Sequence, residues 1–269
     1  MKLAISNIAW PRGDDDRIAA AMANAGIGGL EIAPTSVWPD PLQASAEDRR
    51  EFRARWEARG IRIVAFQALL FGHPEMVLFG EEHPRRAALE HLTGLMDLAA
   101  ALGAGPMVFG SPRNRQAGAL PPGAAREIAV RFFREAGRRA AERGVMLCLE
   151  PNPAAYGCDF INTAEEGRSL VLEVDSPGFR LHLDAGAMKM NGEYEPDAIR
   201  AAAPVLAHFH ASEPHLAPLG TGGSNHAECA RALALVAYSG WVSAEMRPPE
   251  GGGVERAIGL LPSLYSSTT

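Results

Sequence analysis

The chain has 269 residues, a length that suits one α/β barrel of roughly 250 residues or two small domains. Hydrophobic residues make up 47% and charged residues 22%, which is enough apolar material for a full core, and no apolar run reaches the ~20 residues of a membrane-spanning helix. Acids outnumber Lys plus Arg by 32 to 26, and the resulting charge of −6 argues against a protein that tracks nucleic-acid phosphates.

In chain order, short β-rich runs predict strands at Leu3–Ile8, Gly29–Ala33, Ile61–Phe66, Met107–Phe109, Val145–Leu149, Phe179–Leu183, Val205–Phe209 and Trp241–Ala244. Asn7, Pro11 and the run Asp14, Asp15, Asp16 interrupt the first of these before an export-signal core forms. Between the strands lie helical stretches with start and stop signals. Asp14 can cap a helix ending near Gly26, and Ser45 with Asp48 resembles a capping pair for a helix ending at Gly60. Long segments follow at about Pro84–Gly103 and Pro122–Gly144. Thr163 with Glu166 reads as a capping box, and further helices fit near Pro196–Ala203, His226–Tyr238 and Val254–Leu264.

Eight strands strictly alternating with eight helices predict a parallel sheet closed as a (β/α)8 TIM barrel, one domain over residues 1–269, ahead of a doubly wound open sheet. The helix-to-strand turns are tight, whereas the strand-to-helix loops 67–82, 111–120, 151–162 and 211–225 are long. Function is therefore expected at the C-terminal ends of the strands. Cys148, Cys158 and Cys229 are odd in number and far apart, so reduced thiols and a cytoplasmic setting are expected rather than a disulfide framework.

The last four strands each end in a metal-capable residue: Glu150, Asp184, His210 and Glu245, at intervals of 34, 26 and 35 residues. One such residue per βα unit at one height makes a ring around a barrel axis. Three carboxylates and an imidazole buried together repel and desolvate one another unless a cation joins them. Three oxygens and one nitrogen suit Mn²⁺ or Mg²⁺, with Co²⁺ or Zn²⁺ as alternatives.

The motifs LCLEPN (147–152), LHLDAGAM, HFHASEP and SAEMR resemble those of the xylose isomerase-like TIM barrels, which include ketose 3-epimerases, hydroxypyruvate isomerase, inosose-processing enzymes and endonuclease IV. The resemblance implies Glu150, Asp184, His210 and Glu245 as metal ligands, with Glu150 and Glu245 also the catalytic acid/base pair. It implies an isomerase or epimerase that passes through a cis-enediolate of a small sugar or polyol carbonyl. Many members carry His three residues after the strand-six Asp, where this chain has Ala187. The extra histidines of a trinuclear endonuclease IV site are thus incomplete.

Further candidates for substrate contact are Glu31, Gln67, Arg113, Asn152, His182, Glu213, His226 and Arg247. His182 and His208 read equally as histidines one layer below the ring, since period two places them on the same faces as Asp184 and His210. Arg113 and Arg115 can clamp an anion at the mouth, and Gly220–Gly223 can offer backbone N–H groups to one. Trp10, Trp38 and Phe71 can form apolar walls. The competing readings are a lyase that expels a β-hydroxyl with His226 or His215 as acid, a metal-dependent hydrolase, and a barrel that keeps metal only for stability. A small-molecule substrate is expected, with no nucleic-acid or membrane partner and with homo-oligomerisation left open.

Overall fold

The computed structural model describes residues 1–249 and 253–266. Eight parallel strands, β1 (Lys2–Ser6), β2 (Gly29–Ile32), β3 (Arg62–Phe66), β4 (Pro106–Phe109), β5 (Met146–Leu149), β6 (Phe179–Asp184), β7 (Leu206–Ser212) and β8 (Trp241–Glu245), close into a barrel in which β8 pairs with β1. Ten α-helices among the described residues wrap it: α1 (Asp15–Asn24), α2 (Pro34–Val37), α3 (Ala46–Glu57), α4 (Glu82–Leu102), α5 (Pro122–Glu142), α6 (Ala164–Val174), α7 (Ala185–Met190), α8 (Glu195–Ala202), α9 (His226–Leu235) and α10 (Val254–Tyr265).

The single TIM barrel stands as expected, but the alternation is not strict. The short helices α2 and α7 are inserted after β2 and β6, and neither is long enough to show an apolar period in sequence. Both capping boxes form: Ser45 with Asp48 starts α3, and Thr163 with Glu166 starts α6. Asp14 occupies the N-cap position of α1, yet its carboxylate takes Arg17 at 2.8 Å and makes no cap bond. No described helix is long and apolar enough to cross a membrane.

Two features direct the function to one end. At the N-terminal end of the strands, Ala4, Val64 and Ala65 form an apolar plug against Trp241, whose ring lies 5.6 Å below Lys2 Nζ and 5.4 Å from the Arg62 guanidinium. Gly29 is required here, because a Cβ would fall 2.7 Å from the Trp241 ring. Above the plug, the buried residues turn polar: Ser6, Glu31, His182, His208 and Ser243 are all inaccessible to solvent. Strands β6 and β7 run further than their apolar patterns indicate. Asp184 is in register with His210, and Ser212 with Glu245, so the polar ends belong to the sheet and inherit its rigidity.

Candidate metal centre and active site

Glu150, Asp184 and Glu245 converge on one ring nitrogen. His210 Nδ1 lies 3.2 Å from Glu245 Oε2, 3.7 Å from Asp184 Oδ2 and 4.0 Å from Glu150 Oε1. None of these meets hydrogen-bond geometry, so Nδ1 is buried without a partner. An imidazole nitrogen without a hydrogen-bond partner facing three carboxylates is the donor set of a hard divalent cation, and the residues fit one. Asp184 Oδ2 accepts from Ser212 Oγ at 2.6 Å and Oδ1 accepts from the Ala187 N–H at 2.5 Å, which fixes the carboxylate and caps α7. Asn152 Nδ2 donates to Glu150 Oε2 at 3.2 Å and to the Glu150 carbonyl at 3.1 Å. Gly110 flanks the same carboxylate, and a Cβ there would collide with Glu150 Oε2. His182 Nε2 stands 3.6 Å from Glu150 Oε1, and Glu150, His182, Asp184 and His210 each offer a ligand atom within 4.8 Å of the others.

Below the ring, Glu31 accepts from His210 Nε2 at 3.0 Å and stands 3.3 Å from His208 Nε2. Burial alone would raise the Glu31 carboxyl, but His210 and His208 overcome it and hold Glu31 well below its usual value. An ionised Glu31 holds the Nε2–H of His210, so Nδ1 is the nitrogen that would give up its proton to a cation. Glu31→Gln is expected to weaken binding of Mn²⁺ about 10–100-fold by titration calorimetry, and an unchanged affinity would show that His210 needs no such support.

A cleft of about 640 Å³ opens above the ring, lined by Arg113, Asn152, Tyr156, Ala187, His215 and Arg247 besides the three carboxylates. Its wall is strained. His215 (φ 60°) and Leu216 (φ 57°) are consecutive left-handed residues, and Ser111 (φ 41°) stands on the opposite loop. Each costs roughly 1–3 kcal/mol and persists only where the surroundings enforce it. The enforcing bonds are His215 N–H to Tyr156 Oη at 2.9 Å and Arg247 N–H to the Leu216 carbonyl at 2.9 Å.

The profile of the family described as xylose isomerase-like TIM barrel matches residues 19–264. The chain belongs to this family. It is 25% identical over 88% of its length to an L-ribulose 3-epimerase of Methylomonas sp., covering 79% of that protein, and 34% identical over 48% of its length to a D-psicose 3-epimerase of Ruminiclostridium cellulolyticum, covering 43% of it. Among solved structures, it resembles D-psicose 3-epimerase from Clostridium cellulolyticum with D-tagatose, at a TM-score of 0.78 and 25% identity over 96% of this chain and 89% of that one.

Within this xylose isomerase-like barrel, the residues expected at the site divide into two groups. Arg113, Asn152 and Arg247 line the cleft with Glu150, Asp184 and Glu245. The others do not. Glu31 and His182 are fully buried beside His210, not open to a substrate. Gln67 is buried and bonds Ser6 Oγ. Glu213 accepts from the Gly220 and Ser224 N–H groups at 2.7 and 2.8 Å and pairs with His226 Nε2 at 3.0 Å. His226 Nδ1 in turn meets Tyr265 Oη at 2.8 Å, so this buried chain locks the β7 loop to α9 and α10. The glycine-rich loop is therefore already occupied by an internal carboxylate rather than offered to a ligand. Arg115, expected at the mouth, is fully buried and bonds only backbone carbonyls. Trp10 and Trp38 line a separate pocket of about 620 Å³ between α1 and α3, and Phe71 is 71% exposed. Tyr156, on the cleft wall, and Ser212, on Asp184, join the site as well. Ser212 was findable, lying two residues beyond His210 on the same strand face, whereas nothing in the sequence marks Tyr156.

Burial, then Glu245 and Asp184, push the Glu150 carboxyl up to about 8. Burial, then Glu245, raise Asp184 to about 6. Burial would lower His210, but Glu31 and Glu245 hold it well above its usual value. A cation must displace these protons. Affinity for Mn²⁺ is thus expected to rise about tenfold or more per pH unit between pH 6 and 8, by the protons released; a flat profile in a competition assay would contradict it. The sign for the metal-free fold is opposite. Stability from a Glu150 that prefers its proton is complete below the usual 4.5 and is lost as the pH rises through about 8.

Proposed function

We propose that the chain is a divalent-metal-dependent isomerase or epimerase of a small polyhydroxy carbonyl compound, with Glu150, Asp184, His210 and Glu245 as ligands to Mn²⁺ or Mg²⁺ and Glu150 and Glu245 as acid and base. The convergence of three carboxylates on the unpartnered Nδ1 of His210 carries this reading. The sugar 3-epimerases among its relatives support it. The cleft volume lies in the range of small-molecule sites.

A bound cation would supply Lewis-acid polarisation of the substrate carbonyl and a neighbouring hydroxyl. The chain supplies the proton transfers. One of the two glutamates removes the proton from the carbon beside the carbonyl, and the C–H electron pair moves into the C–C bond while the carbonyl oxygen takes the charge. The other glutamate returns a proton to the opposite face of that carbon, which is epimerisation, or to the former carbonyl carbon, which is isomerisation, the neighbouring hydroxyl then passing its proton to the former carbonyl oxygen and becoming the new carbonyl. Asn152 holds Glu150 in its orientation, and Ser212 with the Ala187 N–H holds Asp184.

Incubation of the Mn²⁺-loaded protein with ketoses in D₂O is expected to place deuterium on carbon next to the carbonyl, read by NMR. Absence of exchange across ketoses and their anionic derivatives would overturn the reading. Water loss is the second reading, favoured by His215 on the cleft wall. His226, the other acid considered for that step, is locked between Glu213 and Tyr265. An enone absorbance rising without exchange into recovered substrate would favour it.

A further inference from the structure

We infer that the cleft takes a substrate bearing an anionic group, a carboxylate or a phosphate, at the end away from the reacting carbon, and that Arg113 and Arg247 receive it. The inference rests on the isomerase reading above and names its substrate class.

The floor of the cleft is the acidic ring. Its other charged lining residues, apart from His215, are these two arginines. Arg113 comes from the loop after β4 and Arg247 from the loop after β8, so they approach from opposite sides of the barrel. Both are exposed, and among the described residues neither forms an ion pair with a carboxylate, unlike Arg126, Arg139 and Arg143 on the helices, which do.

Both are also mounted on restrained backbone. Arg113 is followed directly by Asn114, whose amide donates to the carbonyls of His73 and Met76 at 2.8 and 2.9 Å. Next comes Arg115, buried and bonded to the carbonyls of Gly110, Ile161 and Glu150. Arg247 is held through its own N–H to Leu216, the second of the two strained residues. Strain kept at a cleft wall that carries an unpaired guanidinium is what a preorganised contact requires. No other group in the lining is an obligate cation. In the glycine-rich loop, the Gly220 and Ser224 N–H groups are already bound by Glu213. Guanidinium forks match carboxylate and phosphate oxygens alike.

The test uses three probes of one carbon skeleton on the Mn²⁺-loaded protein: D-fructose, D-fructose 6-phosphate and D-fructuronate. Binding is read by calorimetry and proton exchange by NMR in D₂O. One anionic probe is expected to bind at least about tenfold more tightly than D-fructose, as a charged hydrogen bond contributes, and the preferred one tells phosphate from carboxylate. Arg113→Gln and Arg247→Gln are each expected to weaken that probe at least tenfold more than they weaken D-fructose. Equal binding of all three probes, or equal losses on all three in both variants, would overturn the inference while exchange left the isomerase reading standing. Tight arginine-dependent binding of an anionic probe without exchange of any would uphold the inference and remove the isomerase reading.

Discussion

Glu245→Gln is expected to lower net conversion of substrate about 10³-fold at saturating metal, within the range lost with a positioned proton-transfer group. The amide keeps an oxygen that can still approach the cation, so metal occupancy falls far less than turnover, and calorimetry separates the two losses. What distinguishes a two-glutamate mechanism is the asymmetry that remains. Glu150 directly follows β5 and Glu245 ends β8, on different sides of the ring, so each faces one side of a substrate carbon above it. With Glu245 replaced, the epimer whose hydrogen points at Glu150 should still exchange that hydrogen with D₂O, without conversion. The other epimer should do neither. Glu150→Gln should give the mirror pattern, with a larger loss of metal because Asn152 and Gly110 shape the site around that carboxylate. Retention of conversion within tenfold in either variant would remove that residue from the chemistry. Exchange lost equally from both epimers in both variants would point to one base and a bound water.

The barrel and its functional end were legible because both follow from repetition. Eight apolar runs at regular spacing and long loops on one side leave few other folds, and four strand ends with metal-capable side chains place a ring. What the sequence did not reveal depends on which of two polar residues reaches the lumen and which is claimed from inside. Glu31 lies near a strand end in sequence, as Glu150 does, but it is shielded beneath His210 and spends its charge on two imidazoles. Glu213 and the glycine-rich loop looked like two independent ligand contacts, and they satisfy each other. Arg113 and Arg115 are two residues apart on a single turn, so one faces the cleft and the other the interior. Such exchanges are settled by tertiary hydrogen bonding, to which local periodicity is blind.

Arg115→Met is expected to cost the fold about 4 kcal/mol or more, from the loss at once of the hydrogen bonds made by a buried guanidinium. The side chain is wholly buried. Nε donates to the Gly110 carbonyl at 2.7 Å, Nη2 to Glu150 at 2.6 Å, and Nη1 to Ile161 at 3.2 Å and to Phe160. Burial itself disfavours the cation and pulls the guanidinium below its usual value, with Cys158, Glu150 and Asp159 opposing. Exchanging a buried charge for an apolar side chain can be neutral when both partners are replaced. Here only the donor goes: the Gly110 carbonyl loses its partner, and those of Glu150, Phe160 and Ile161 keep only Asn152 or Cys158. A loss of this size lowers the melting midpoint of a chain this long by ~10 °C. Arg115→Lys should recover only part of it, because one ammonium cannot reach carbonyls arrayed around a planar fork. The same bonds join the turn after β4 to the end of β5 and to residues 160–161, so the carbonyl of Glu150 is left to Asn152 alone. Metal affinity should therefore fall alongside stability even at temperatures where Arg115→Met remains folded. A midpoint within about 2 °C of the parent would mean that water replaces the guanidinium at little cost. In that case, the rigidity of the Glu150 position would have to come from β5 and Asn152 alone.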